Sequence, residues 1–396
     1  MSASTWSALR RSALFRPTAA ALLLCASIAA AAGPEKALSG VLEAIEAHRF
    51  DLALQRTEAL LATHPNFRLA HLIRGDLLLA RARPLETFGN VPKTVPRDKV
   101  EDLRAEAQSR LRAQRDRPNG DHVPRYVLQL HSEQKHALVV DSRRSRLYVF
   151  ENAGGRPRLV ADYYVSLGKN GVEKTREGDQ KTPIGVYHVT ADLPKQKLSD
   201  FYGAGAYPIN YPNAWDKRQG RNGHGIWLHG TPSDTYSRPP RASDGCIVLA
   251  NADLETVSRH LQIGLTPVII ADEVEWTDAA ALESERGALA GAFKAWRADW
   301  ESRDTEKYLA HYAARFNSGD QGLAAWSAHK HKVNGAKSWI MVGVSRVAML
   351  QYPRERFVVV SFDQDYRSSN MSNVMRKRQY WVKEGERWKI LYEGGA

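Results

Sequence analysis

The sequence predicts a multi-domain protein: a helical N-terminal segment, a central mostly-β domain and a C-terminal α+β domain. Two changes of hydrophobic period indicate this, from helical to strand-like near residue 124 and from helices back to strands after residue 283. The third observation is size and composition. A chain of 396 residues, 43% hydrophobic and 25% charged, fits two or three folded domains. With a mean hydropathy of −0.46 it is neither a disordered polymer nor, beyond its N-terminus, a polytopic membrane protein.

Residues 1–32 read as an export signal. Arg10, Arg11 and Arg16 precede a largely apolar run from Ala19 to Ala32, with small residues at Ala30 and Ala32 before Gly33. The run is too short for a comfortable membrane span, and Gly33, Pro34 and Glu35 end it, so cleavage leaves no integral span. Lipidation at Cys25 is disfavoured by the bulky Leu24 before it. The net charge is +12; the leader holds three arginines and no acid, so the exported part carries +9 and calls for an anionic partner. The basic residues are dispersed and export removes the usual substrate, which argues against nucleic acid.

Residues 36–118 are expected to be helical. Leu38, Val41, Leu42 and Ile45 share one helix face, and Pro65 separates two further helical runs. Residues 53–65 followed by Leu69-Ala70-His71-Leu72-Ile73-Arg74-Gly75 resemble the junction of a tetratricopeptide repeat, which makes the segment a candidate docking module for an envelope protein partner. Leu103–Leu111 reads as a basic connector helix with a solvated charged face.

Residues 124–274 carry strand signals at 126–130, 137–140, 147–150, 160–165, 226–230 and 267–270, with Gly154-Gly155 as a hairpin turn. Asn251 is expected to cap a helix that faces Leu254, Val257 and Leu261 inward. Residues 283–394 open with helices, where Leu289, Phe293 and Trp296 share a face, as do Tyr308, Tyr312 and Phe316. Strands follow at 340–350, 356–362, 374–382 and 388–392, the last two joined at Glu384-Gly385. This pattern resembles the nuclear-transport-factor-2 (SnoaL-like) cone, whose tryptophan-rich interior would form either a packed core, the commoner outcome, or a pocket suited to a glycan or peptide.

The chemistry concentrates at Cys246, alone once the leader is removed. A lone thiol in an exported protein has no intrachain disulfide to make and is a candidate nucleophile. His229 ends the apolar strand Ile226-Trp227-Leu228, seventeen residues earlier, and can act as base. Gly245 lets the backbone turn tightly and bring main-chain N–H groups towards a developing oxyanion. No metal set is visible: His224 and His229 lack partners at ligand spacing, His224 falls on the opposite strand face, and His329 and His331 read as a solvated loop.

The stretch His229-Gly230-Thr231, a loop, then Ser243-Asp244-Gly245-Cys246-Ile247 resembles the signature of the L,D-transpeptidase (YkuD) catalytic domain. Upstream, Gly168-Lys169-Asn170 and Gly178-Asp179-x-Lys181-Thr182-Pro183-x-Gly185-x-Tyr187 match the same family. The resemblance implies an exported enzyme of the periplasm or envelope that acts on peptidoglycan stem peptides without a cofactor. In that reading Cys246 attacks a stem tetrapeptide at the L-centre of its third residue and expels D-alanine. The thioester then passes to an amine, or to water in L,D-carboxypeptidase relatives, including those that set helical cell shape. The Gly230 carbonyl would orient His229, and the Gly245 and Cys246 amides would form the oxyanion hole.

Tyr202, Tyr207, Trp227, Arg241, Ser243 and Asp244 are the candidate substrate-binding residues. The first two lie in a loop of aromatic and flexible residues, 201–211, suited to covering a substrate. Asp244 and Val248 depart from the family pattern, which often has a basic residue at the first position and Arg at the second. An anion beside a thiolate would raise the thiol pKa, so Asp244 is expected to pair with Arg238, Arg241 or a substrate amine instead of facing the sulfur. The non-enzymatic alternative is an envelope scaffold built on the helical and cone modules.

Overall fold

The computed structural model describes residues 33–396 apart from 86, 93, 117–119 and 320, so the leader lies outside the described residues. The described residues divide into two compact units, one within residues 33–65 and 70–90 and the other within 66–69 and 91–396.

In the first unit, helices α1 (Pro34–Glu46) and α2 (Phe50–Thr63) bury Leu38, Val41, Leu42, Ala53, Leu54 and Leu60, as the helical spacing predicts. Arg56 Nη1 donates to the Gly40 carbonyl at 2.6 Å and ties the pair together. A third helix, α3 (Arg68–Ala80), follows Pro65, and Asp76 accepts the N–H groups of Gly89 (2.6 Å) and Asn90 (2.8 Å). No helix among the described residues is long and apolar enough to cross a membrane.

The second unit begins its regular structure with α4 (Arg97–Arg115), which is not the solvated connector expected. Glu106, Ala107, Ser109 and Arg110 are buried, because Arg110 and Glu106 pair at 2.8 Å and the guanidinium lies 3.9 Å over the Tyr164 ring. The strands of the central domain are β1 (His122–Pro124), β2 (Val127–Gln129), β3 (His136–Asp141), β4 (Arg146–Ala153), β5 (Arg156–Tyr164), β6 (Leu167–Gly168), β7 (Gly185–His188), β8 (Ala206–Pro208), β9 (Trp227–His229), β10 (Arg241–Ser243), β11 (Ile247–Val248), β12 (Pro267–Ala271) and β13 (Trp276–Asp278). Two short helices, α5 (Ala214–Arg218) and α6 (Asn251–Ser258), interrupt them. A five-stranded sheet runs β5-β4-β3-β12-β7 and a three-stranded one β11-β9-β8. β3 is apolar from Ala137 to Val140 because both its faces are covered: Leu138 and Val140 pack with Leu228, Ile247 and Leu254, whereas Ala137 and Val139 pack with Tyr126, Phe150 and Val274.

The C-terminal region comprises α7 (Ala279–Glu301), α8 (Thr305–Leu309), β14 (Asn317–Ser318), β15 (Gln321–Gly322), α9 (Leu323–Gly335), β16 (Ile340–Gln351), β17 (Phe357–Ser368), β18 (Met371–Glu384) and β19 (Arg387–Gly395). The expected face Leu289, Phe293 and Trp296 is buried against Phe362 and Trp381 of the long antiparallel sheet. His329 and His331 lie on α9 and not in a loop. The strand expected near residues 126–130 forms as β2, but its partner is β16, giving the order β19-β18-β17-β16-β2. Sequence position put this strand in the central domain; edge pairing puts it in the C-terminal sheet.

A charged cluster lies beneath that sheet. Lys377 bridges the buried Glu393, which also accepts from Gln379 (2.8 Å) and Tyr312 (3.0 Å). Burial alone would raise the Glu393 carboxyl, but Lys377 and Lys330 overcome it and hold it down to about 2, against an ordinary 4.5. A depressed carboxyl stabilises the fold fully above its unfolded value and progressively less below it. The urea midpoint should therefore fall as pH drops from about 4.5 towards 2. Glu393→Gln should flatten that dependence and cost ~3–5 kcal/mol at neutral pH, because Lys377 is left buried without its partner.

Candidate active site

The parallel pairing of β9 and β11 sets Ile247 opposite Leu228 and Val248 opposite His229. Cys246 enters β11 one residue earlier, level with Trp227, on the strand face that carries Trp227 and His229. Leu228 and Ile247 point the other way, into the core. Strand alternation therefore brings thiol and imidazole to one surface and anchors their neighbours.

His229 is 1% exposed, and its Nδ1 lies 2.7 Å from the Gly230 carbonyl oxygen. A carbonyl only accepts, so Nδ1 carries the proton and Nε2 holds a free lone pair. Burial, opposed by that hydrogen bond and aided by Arg238, lowers the imidazole pKa to about 4. The Cys246 thiol donates to the Gly225 carbonyl (3.3 Å), not to His229, and the Trp227 N–H bonds the sulfur. Burial pushes the thiol up to about 11; Asp244 raises it further, while the Trp227 N–H, Arg238 and Lys174 oppose the rise. The resting pair is thus neutral thiol and neutral imidazole.

The turn before Cys246 is fixed from both sides. Ser243 Oγ donates to the Cys246 carbonyl (2.7 Å) and accepts from the Gly245 N–H (3.1 Å). The Gly245 amide is therefore occupied, which leaves the Cys246 N–H, without an acceptor among the described residues, to meet an oxyanion. Thr182 Oγ donates to the Gly245 carbonyl (3.0 Å) and accepts from the Gly168 N–H (2.9 Å), so the upstream motif buttresses the nucleophile turn. Gly245 has φ +124°, and a side chain there would meet the Lys181 carbonyl at 2.7 Å. Asp179, held down to about 2 despite burial by Lys174 and three backbone N–H groups, braces the same loop.

Other candidates divide clearly. The Tyr202 ring lies 4.9 Å from Trp227 and 5.2 Å from His229, so this part of the aromatic loop covers the imidazole. Tyr207 is opposite Leu228 and turns to the core side, where it bonds Ser258. Asp244 pairs with Lys169 at 2.9 Å, and not with Arg238 or Arg241. Arg241 is exposed and reaches over Gly171. His224 is at the surface beside Glu177 (3.4 Å). No group of three or more potential metal ligands is assembled among the described residues.

Three supporting residues were not apparent as such from sequence. Asn251 is not a helix cap: Ala250 precedes the helix, and the Asn251 side chain instead accepts from the Ala204 (2.9 Å) and Thr231 (3.2 Å) N–H groups and donates to the Thr231 carbonyl (2.9 Å). It thereby ties the aromatic loop to the His229-Gly230-Thr231 turn. Phe201 lies 5.7 Å from His229, and Arg238 stacks 4.7 Å over Phe201 with its charge felt at Cys246. The departure of a small Gly-Ala pair from an otherwise aromatic loop was the available signal for Asn251, since Gly203 and Gly230 each lie where an added carbon would strike its Oδ1.

Residues 135–270 match the L,D-transpeptidase catalytic domain (YkuD), and residues 288–394 match the Cds6 C-terminal NTF2-like domain. Among solved structures, Bd1075 of Bdellovibrio bacteriovorus is similar at 30% identity, covering 70% of this chain and 98% of its own, with a TM-score of 0.61. The helical cell shape determining protein Pgp2 of Campylobacter jejuni is similar at 25% identity, covering 68% and 95%, with a TM-score of 0.58. No curated protein matches the chain.

A thiol with its pKa near 11 is ionised in only about one molecule in ten thousand at pH 7. Iodoacetamide should therefore label Cys246 more slowly than a model cysteine, with a rate still rising above pH 9. Asp244→Asn should move that rise to lower pH and Arg238→Gln to higher pH, read from alkylation rates across pH 6–11. An alkylation rate that levels off below pH 8 contradicts the neutral resting pair.

Proposed function

The chain belongs to the L,D-transpeptidase (YkuD) family, and from that premise we propose that it forms a Cys246 thioester with a peptidoglycan stem tetrapeptide and passes the acyl group to an amine. The observation that carries this reading is the His229 tautomer: Nδ1–H spent on the Gly230 carbonyl, Nε2 open on the face that bears Cys246.

As Sγ attacks the carbonyl carbon of the third stem residue, its proton passes to Nε2 of His229. The carbon–sulfur bond forms and the carbonyl oxygen takes the negative charge, opposite the Cys246 N–H. Collapse breaks the carbon–nitrogen bond, and His229 returns the proton to the departing D-alanine amine. An acceptor amine then attacks the thioester carbon and gives a proton to His229; a carbon–nitrogen bond forms, the carbon–sulfur bond breaks, and His229 returns the proton to the sulfur. Arg238, whose charge reaches the sulfur, offers a positive group to the donor carboxylate and, with the buried Lys174, steadies the thiolate as it appears. Tyr202 and Trp227 supply aromatic cover beside the imidazole.

A second reading replaces the amine by water, which trims tetrapeptide to tripeptide. It is favoured by the likeness to a helical cell shape determining protein, which covers 68% of this chain. We place the enzyme in the periplasm or cell envelope, delivered by the leader, with the helical segment available for an envelope partner.

Incubating the purified protein with tetrapeptide muropeptides and weighing the products separates the two readings. A crosslinked dimer supports the amine acceptor, and tripeptide with free D-alanine supports water. Cys246→Ala should abolish either product, and His229→Gln should lower turnover by at least ~10²-fold, the usual worth of a positioned base. Unchanged turnover in Cys246→Ala rules out the thioester, whereas no product from the unaltered protein leaves the scaffold reading.

A further inference from the structure

We propose that a cavity between the outer face of the C-terminal sheet and the catalytic domain binds a small organic carboxylate through Arg376 and Arg378. This inference does not depend on the reaction assigned to Cys246. Neither Cys246 nor His229 lines the cavity, which has a volume of about 230 Å³, enough for an acylated amino acid.

Arg376 and Arg378 stand two residues apart on β18 and so leave the same face of the strand, about 7 Å apart at their Cα atoms. The intervening Lys377 points the other way, to Glu393. No Asp or Glu side chain lines the cavity. Arg376 has one carboxylate nearby, Asp363 at 3.7 Å, and that group is already engaged by the Arg346 guanidinium. Arg378 bonds the Tyr380 hydroxyl, a neutral partner. Ala396 also lines the cavity, its N–H bonded to the Arg376 carbonyl (3.0 Å), so the two guanidiniums stand against one terminal carboxylate and the field inside stays positive. His188 on the facing wall registers it: burial first, then Arg378 and Arg376, lower its pKa to about 4, so it stays neutral and leaves the arginines as the charged groups.

The remaining lining selects the kind of anion. Leu265, Leu350 and Val359 make an apolar floor, suited to a hydrocarbon body and not to a fully hydrated inorganic ion. Asn210 and Gln134 add amides at the wall, fit for a peptide-like group. Guanidinium forks bind carboxylates bidentately, and a half-buried position strengthens that contact. A cationic or zwitterionic ligand would place its ammonium against two arginines with no Asp or Glu side chain to receive it.

Calorimetric titration of the full chain at low salt with N-acetyl-alanine, its neutral amide and inorganic phosphate tests the proposal. The acid should bind saturably, and the amide at least tenfold more weakly. Arg376→Gln/Arg378→Gln should weaken the acid at least tenfold, whereas Lys195→Gln, an exposed lysine outside the cavity, should leave it unchanged. Arg378→Gln alone should weaken binding several-fold, which serves if the double variant does not fold. Equal binding of acid and amide, or full binding in the folded arginine variants, overturns the proposal. Phosphate bound as tightly as the acid through the same arginines overturns the preference for an organic carboxylate.

Discussion

The hydrogen bond from His229 Nδ1 to the Gly230 carbonyl is the interaction on which the rest of the site depends. It spans 2.7 Å between adjacent residues, and the carbonyl can only accept, so one contact settles both ring orientation and tautomer. A carboxylate in the same place would have stabilised the imidazolium and filled the pocket with charge. A carbonyl instead leaves the imidazole a weak base at rest, which burial depresses further. Asn251 then holds the turn that carries the carbonyl, through both the N–H and the carbonyl of Thr231.

Two neutral partners follow from this arrangement. Burial raises the thiol and lowers the imidazole, so forming the ion pair in the empty site opposes both shifts. In the proposed reaction, proton transfer would therefore be coupled to the arrival of a carbonyl carbon, when the new carbon–sulfur bond takes up the electron pair. Slow alkylation of the free enzyme is then a property of the buried pair and no mark of an inert thiol. Arg238 acts in both directions: it steadies negative charge at sulfur and disfavours positive charge at His229. Its stacking on Phe201 fixes that position.

Much of this was legible in the sequence because it is local. The seventeen-residue separation of His229 and Cys246, the glycine before the thiol, and the order of the two motifs singled out the thiol, the imidazole and the Gly230 carbonyl, which the pairing of β9 with β11 brings to one place. Periodicity located the strands of the C-terminal sheet within a few residues and its buried aromatic face correctly. What escaped were contacts between segments distant in sequence. Asn251 looks like a helix cap from its neighbours alone; its partners Ala204 and Thr231 are 47 and 20 residues away. The α4 helix looks solvated until Tyr164 and Glu106 are seen to cover and neutralise Arg110. The Gly245 amide looked available as an oxyanion donor because side-chain capture by Ser243 cannot be read from spacing. Asp244 chose Lys169 over two nearer arginines for the same reason.

The long-range contacts also show why the catalytic and C-terminal domains fold as one body within their unit. β2 leaves the start of the catalytic segment to become an edge strand of the C-terminal sheet, which covers β16 and removes an exposed edge. In return Tyr352, just past β16, accepts from Asn213 at 3.2 Å, and Asn213 holds the Val186 carbonyl on β7 at 3.0 Å. Gly185 at the start of β7 leaves no room for a side chain between the hydroxyls of Tyr352 and Tyr187. Three residues earlier, Thr182 grips the Gly245 carbonyl. A run of direct contacts therefore joins the C-terminal sheet to the nucleophile turn, and truncating that sheet would strip both β2 of its partner and β7 of its support. The C-terminal domain is in this sense part of the scaffold that holds the thiol, whatever ligand it also receives.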